Sequence, residues 1–438
     1  MDAEKALKLA LELGADEAAA KRVEKDDVQI RFSNNSVDIS NRWLDESLAV
    51  FIAVNGRTTG VEIRNEEEMG GTIERAISFA KKLPENPDFR GLYDRKTVPK
   101  RITTDVENTD ISELPGIAID AALAHGVKRV SGEIQLSRKK VALETNYNSL
   151  EESRAYIIST VRAFNDEGAP GQASTHAATE EQLNKFGPAY VGDRAGRLAS
   201  MNRRVKEGKE GRYTILFEPL CFGSAVSEIG GSLSAFSVDM GSSFFVDRLN
   251  EQVASDILTI WDDPELPGKG MRGFDDEGAA TGKTLAIERG VLKTYLHSNS
   301  TAKKMGTETT GNGADAGSMA GINPLYWQMS VKPGKSHWED MLTGIDKGLY
   351  IANTWYTRYQ DHRAGDYSTI PRDGIFYIEN GRIVEAWKGI RITENILNLM
   401  KNIRELGNEV VPVDWWGETT AVFAPHALID SVRITAAK

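Results

Sequence analysis

Glu228 has the most unusual setting of any acid in the chain. It lies in Phe222-Gly-Ser-Ala-Val-Ser-Glu-Ile-Gly-Gly-Ser232, among small and apolar residues. A carboxylate there is either buried and paired or faces a cleft, and both settings shift its proton affinity. Two glycine- and serine-based patterns invite a chemical reading but lack its context. Gly268-Lys-Gly-Met-Arg-Gly273 spells GxGxxG, which needs a strand before it and a helix after it to cradle a dinucleotide. Its flanks, Asp262-Asp-Pro264 and Phe274-Asp-Asp-Glu-Gly278, read as loops. Ser300-Thr-Ala-Lys303 spells SxxK, without the S-D-N and K-T-G elements that such a serine nucleophile needs. The six histidines are His125, His176, His297, His337, His362 and His426, and none lies within five residues of another. No local His pair can therefore hold a metal. His362, in Asp361-His-Arg-Ala-Gly-Asp366, sits in a polar loop with carboxylates on both sides. Asp275-Asp-Glu277 lacks the twelve-residue spread of a calcium loop and reads as a turn or a surface charge cluster.

Composition narrows the classes of function. The chain has 438 residues, enough for two to three domains at roughly 150 residues each. Lys and Arg number 53 against 64 Asp and Glu, a formal charge of −11. Such a chain is a poor partner for a phosphate backbone unless it carries a local basic stripe. The short basic runs, Arg138-Lys-Lys140 and Arg203-Arg204, read as solvated faces. Cys221 is the single cysteine. A disulfide within the chain is excluded and a reducing compartment, the cytoplasm, is expected. The acidic amphipathic start does not read as a signal peptide. No run of about 18 apolar residues marks a membrane span.

The elements that must position these residues follow from periodicity. Residues 3–14 are helical in pattern and stop at Gly14. Strands follow at 28–32, 37–39, 48–54 and 58–63, with turns at Asn34-Asn35 and Asn55-Gly56. Helical spacing returns at 65–83, within 111–130 and at 188–206. Strands are expected at 133–141, 143–147 and 154–166. The polar, Gly-containing run Lys206–Gly211 marks a boundary. Beyond it, short strands with Gly and Asp turns dominate, with one helix expected over Glu394–Leu406. The expected fold is α+β. Residues 1–208 form an N-terminal domain of antiparallel sheet and helices, and residues 209–438 a β-rich domain, barrel- or sandwich-like.

A set of ordered motifs resembles the TldD/PmbA family, also called modulators of DNA gyrase. They are Leu11-Glu-Leu-Gly-Ala-Asp-Glu17, Asn55-Gly-Arg-Thr-Thr-Gly60, Pro87-Asp-Phe89, Phe274-Asp-Asp-Glu-Gly278, Arg289-Gly-Val-Leu-Lys293, Thr310-Gly-Asn312, Gly365-Asp-Tyr-Ser368, Ile378-Glu-Asn-Gly381 and Gly407-Asn408. The resemblance spans nearly the whole chain. It implies a cytoplasmic metallopeptidase system acting on unfolded or short peptides. In it, a TldD-type chain carries HExxxH and a later Cys, and a PmbA-type (TldE) chain lacks them and pairs with it.

The matching six residues here are Ser227-Glu-Ile-Gly-Gly-Ser232. Both His positions hold serine, a poor zinc ligand beside imidazole or thiolate. Residues 408–418 contain no Cys, and Cys221 lies upstream of the motif. Two ligands five apart point about 140° apart on a straight 3.6-residue helix, so they share a metal only where the helix ends or distorts, which a Gly before the second position permits. The resemblance thus implies a PmbA-like chain with degenerate ligand positions Ser227 and Ser232, a vestigial Glu228, and no metal or cofactor of its own. Zinc would belong to a TldD-like partner. The expected partners are a second copy or such a HExxxH chain, and peptide substrates, with neither membrane nor nucleic acid. Trp355, Tyr356, His362, Trp415 and Trp416 are the candidates for lining a peptide groove. A catalytic chain with ligands from elsewhere, such as His297, His362 or a partner chain, and a gyrase- or nucleic-acid-associated binding protein are the alternatives.

Overall fold

The computed structural model describes residues 1–315, 319, 321–414 and 421–437. Three asparagine turns set its registers. Asn34 and Asn35 (φ 49° and 66°), Asn55 and Gly56 (50° and 71°), and Asn380 and Gly381 (50° and 71°) all occupy the left-handed region. That is the turn whose twist matches two right-twisted antiparallel strands.

Six strands form the first half of a large sheet: β1 (Glu17–Ser33), β2 (Ser36–Val54), β3 (Arg57–Ile63), β4 (Arg129–Thr145), β5 (Ser149–Phe164) and β6 (Pro170–Ala177). They pair antiparallel in the order β6-β5-β4-β1-β2-β3. The strands expected at 133–141 and 143–147 are one continuous strand, β4. Ala142 does not break it, because it pairs with Arg22 on one side and Glu151 on the other. Ladder bonds on both edges outweigh the weak strand preference of alanine.

Helices α1 (Ala3–Glu12) and α2 (Met69–Ala80) cover β1–β3, with Ala6, Leu7, Ile73 and Ile77 packed on Leu48, Val50 and Ile52. Helices α3 (Leu114–Leu123) and α4 (Pro188–Met201) cover β4–β6 through Ile119, Val191 and Ala195. Six short strands from the second half continue the same sheet to twelve strands, joined where Val413 pairs with Thr175.

The rest of the second half closes a barrel. Its strands are β7 (Gly211–Phe217), β8 (Lys347–Asp361), β9 (Asp366–Glu379), β10 (Ile390–Asn395) and β11 (Ala427–Ala436). The pairings run β8-β7-β11-β10-β9 and return from β9 to β8, so all five strands have two neighbours. The fold is α+β, 22% helix and 43% strand, with a β-rich, barrel-containing second half. The helix expected over Glu394–Leu406 is only Ile396–Lys401. Glu394 is held in β10 against Tyr367, the Asn395 side chain caps the helix at Leu397 and Asn398, and Ile403–Leu406 pairs with β11. Among the described residues no helix is long and apolar enough to cross a membrane.

Helix α5 (Pro219–Ser232) lies in the core shared by the barrel and the large sheet. A buried polar knot anchors its start. Glu218 accepts hydrogen bonds from Arg194 of α4 and from the Tyr350 hydroxyl of β8, and His426 Nε2 lies 3.5 Å from its other oxygen. Arg194 also bonds the Tyr350 oxygen at 2.9 Å. Burial raises the Glu218 proton affinity, but Arg194, His426 and Tyr350 outweigh it and hold the acid at about 2.

Candidate functional site

α5 carries the segment singled out in the sequence, and its glycines let it sit close to its neighbours. A Cβ on Gly223 would meet Val413 at 2.6 Å, and one on Gly230 would meet Tyr326 at 2.8 Å and Met329 at 2.9 Å. Both distances are below van der Waals contact, so the helix needs glycine at these two positions to pack.

Along this helix, Ser227 and Glu228 are half-buried and each meets a tyrosine. Ser227 Oγ lies 2.6 Å from the Tyr326 hydroxyl. Glu228 acts on Tyr359. Burial chiefly, and then the Glu228 charge, push the Tyr359 phenol well above its ordinary range. The Tyr359 ring stacks on His362 with centroids 4.2 Å apart and packs near Phe244 and Tyr367. The structure thus brings His362 into the neighbourhood of Glu228 through one aromatic ring. Ser232 does not join them. The helix runs unbroken to Ser232, so the two serines point about 140° apart.

The donors at these positions do not suit zinc. The donors at the two ligand positions are hydroxyls, and that of Ser227 is engaged by Tyr326. Hydroxyls are weak zinc ligands beside imidazole and thiolate. Cys221 is buried, and burial pushes its thiol far up, against the action of a hydrogen bond with Thr354. His297 is 3% exposed and held near 4 by burial. Its backbone carbonyl accepts from Thr309 and Thr310. Among the described residues no group of three or more His, Cys, Asp and Glu is placed to hold a metal.

The other aromatic candidates fall elsewhere. Trp355 and Tyr356 follow one another near the middle of β8, edge to face at 5.7 Å. Arg372 of β9 lies over both rings, at 5.0 and 6.0 Å. Tyr356 is 56% exposed and held at φ 57°, an uncommon backbone state for a bulky residue. Trp355 instead lines a cavity of about 670 Å³ with Arg31, Arg162, Lys269 and Asp414. Trp415 and Trp416 lie outside the described residues.

Asp275, Asp276 and Glu277 are all buried, not a surface cluster. The turn reading of this run does hold, because Asp275 accepts the backbone N–H groups of Glu277, Ala279 and Gly313. Asp276 pairs with Lys21 at 3.0 Å, and Glu277 accepts from the Asn299 backbone. Burial raises Asp275 to about 7. Tyr326 and Tyr359, which flank the Ser227-Glu228 pair, escaped the sequence reading. They lie 99 and 131 residues downstream, and no local pattern ties them to α5.

Residues 210–436, just over half of the chain, match the family model described as the PmbA/TldA metallopeptidase C-terminal domain. The chain belongs to the PmbA/TldD family. A metalloprotease of Methanocaldococcus jannaschii is 27% identical over 423 residues, covering 85% of this chain and 87% of its own length. A metalloprotease of Methanothermobacter thermautotrophicus is 30% identical over 325 residues, 70% of this chain and 69% of its own. The crystal structure of TldE from Thermococcus kodakarensis superposes with a TM-score of 0.83 over 99% of both chains at 19% identity, a likeness of fold. Within the PmbA/TldD family, then, this member presents Ser227, Glu228 and Ser232 on an intact helix, with tyrosines beside the first two.

Proposed function

We propose that this chain is the metal-free, non-catalytic subunit of a cytoplasmic PmbA/TldD-type peptidase system that processes or degrades peptides. The observation that carries this reading is the state of the degenerate ligand positions. Ser227 is bonded to Tyr326, Ser232 faces away, and Glu228 addresses a tyrosine where a metal-bound water would be needed. A carboxylate can act as general base on a metal-bound water only if the metal is there. The chain pairs with a HExxxH-bearing relative, or with a second copy, and helps enclose the space in which an extended peptide is cleaved. His362, stacked on the Tyr359 ring that Glu228 acts on, is its contribution to that groove.

The test combines zinc analysis of the purified chain with peptide cleavage, alone and with a HExxxH-bearing relative. The expected result is less than 0.1 zinc per chain, on the order of trace contamination, with cleavage only in the mixture and unchanged by Glu228→Gln. Stoichiometric tight zinc, or chelator-sensitive cleavage by the chain alone that Glu228→Gln abolishes, would establish the catalytic alternative instead.

A further inference from the structure

The face of β1, β4 and β5 that looks toward the second half of the chain carries cations in register. Lys25 of β1 stands directly opposite Lys139 of β4, and Lys139 stands opposite Arg154 of β5. Like charges placed directly across a ladder destabilise a sheet. Lys21 lies on the same face of β1, two positions further on by the strand's period of two. Loops of the second half bring Lys269 and Arg272 over this row, and the two layers leave a cavity of about 530 Å³ between them.

Six cations thus line one cavity, against three carboxylates: Glu152, Asp276 and Asp315. Lys21 is held by Asp276 at 3.0 Å and Asp315 at 2.9 Å. Arg154 is held by Glu152 at 2.5 Å, and Lys269 by Asp414 at 2.6 Å. Lys25, Lys139 and Arg272 have no ion pair among the described residues. The Arg272 guanidinium lies 3.5 Å from the centroid of the Trp327 ring, and its buried Nε has no hydrogen-bond partner. The chain as a whole has eleven more acids than bases, so unpaired cations gathered here are not a shortage of carboxylates. Desolvation, then Arg154, Lys25 and Arg272, bring Lys139 down to about 7. Desolvation and Arg154 likewise lower Arg272 to about 10.

We propose that this cavity binds a small molecule carrying a multiply charged oxyanion, phosphoryl or clustered carboxylate, across Lys25, Lys139, Arg154 and Arg272. Each feature that burdens the free protein suits that ligand. Charge–charge attraction strengthens where water is excluded. Guanidinium groups hold carboxylate and phosphate by paired, planar hydrogen bonds. The volume lies within the range of small-molecule sites, about 300–1,000 Å³, and exceeds what a lone phosphate fills. Tyr156, Phe274 and Trp327 supply walls for the rest of the molecule. The site shares no residue with the Ser227-Glu228 region, and the inference stands whether or not the chain handles peptides.

Isothermal titration of the full-length chain at low salt, with inorganic pyrophosphate in one arm and citrate in the other, tests this. Binding in the pyrophosphate arm assigns a phosphoryl ligand, and binding only in the citrate arm a polycarboxylate. Lys139→Met and Arg272→Gln should each weaken it tenfold or more. Lys332→Gln, an exposed lysine outside the cavity, should leave it unchanged. Lys25→Gln repeats the test at the rim, so a fold lost in one variant does not remove the comparison. Binding of neither anion, or equal affinity in the cavity variants and the wild-type chain, overturns the proposal.

Discussion

Replacing Lys139 by Met should stabilise the free protein, and by an amount that depends on pH. The lysine sits beside Lys25, Arg154 and Arg272, with Asp27 the acid acting in its favour. Its proton is held at about 7 against 10.5 for a free lysine. At about 1.4 kcal/mol for each tenfold change in proton affinity, that difference sets an upper bound near 5 kcal/mol for the protonated state. Residual contact with solvent screens part of this, leaving about 2–3 kcal/mol. The sign follows from proton counts. Between pH 7 and 10.5 the unfolded chain holds the Lys139 proton and the folded chain has released it. Folding is therefore favoured as pH rises through that window, and the cost is fully present below 7. Methionine has no proton to lose and fills a similar volume. At pH 6, thermal unfolding of Lys139→Met should begin a few degrees above that of the wild-type chain. The gap should shrink steadily from pH 7 to 10. A variant less stable than wild type at pH 6, or a gap that does not change with pH, would refute the account of a row of opposed cations.

Two further perturbations probe how α5 is held. Glu218→Gln leaves Arg194 buried without its anion and should cost about 3–5 kcal/mol in equilibrium unfolding. The wild-type acid, held at about 2, should itself contribute stability above pH 4.5 that disappears between 4.5 and 2, worth about 3 kcal/mol, and this acid limb should be absent in the variant. Gly230→Val drives a side chain into Tyr326 and Met329, where a Cβ alone already meets atoms at 2.8 and 2.9 Å. A loss of about 1–3 kcal/mol is expected, as for overpacked cores. Gly231→Ala, with open space at its Cβ, should be nearly neutral, and a reversal of that order in thermal unfolding would show that α5 is not packed as described.

What was legible in the sequence is what depends on neighbours along the chain. The Asn-Gly turns were, because two residues in the left-handed region suffice to reverse a strand. The barrel's closure was not readable in detail, because β7 and β8 pair in parallel through residues such as Thr214 and Gly348, far apart in sequence and joined by no turn signal. The degenerate Ser227 and Ser232 were legible as residue types. Their tyrosine partners were not, since a hydroxyl contact across 99 residues leaves no local trace. The run Arg138-Lys-Lys140 is the instructive case. Read as charge alone it was a solvated face, and Lys140 is indeed exposed. But the run lies inside a strand, and a strand sends alternate side chains to opposite faces. Lys139 had to point away from Lys140, toward whatever packed on the other side. What lay there was set by register with β1 and β5, and register placed two more cations beside it. A basic triplet in a strand of a two-sided sheet cannot be solvent-facing throughout. Its middle residue is the one to ask about.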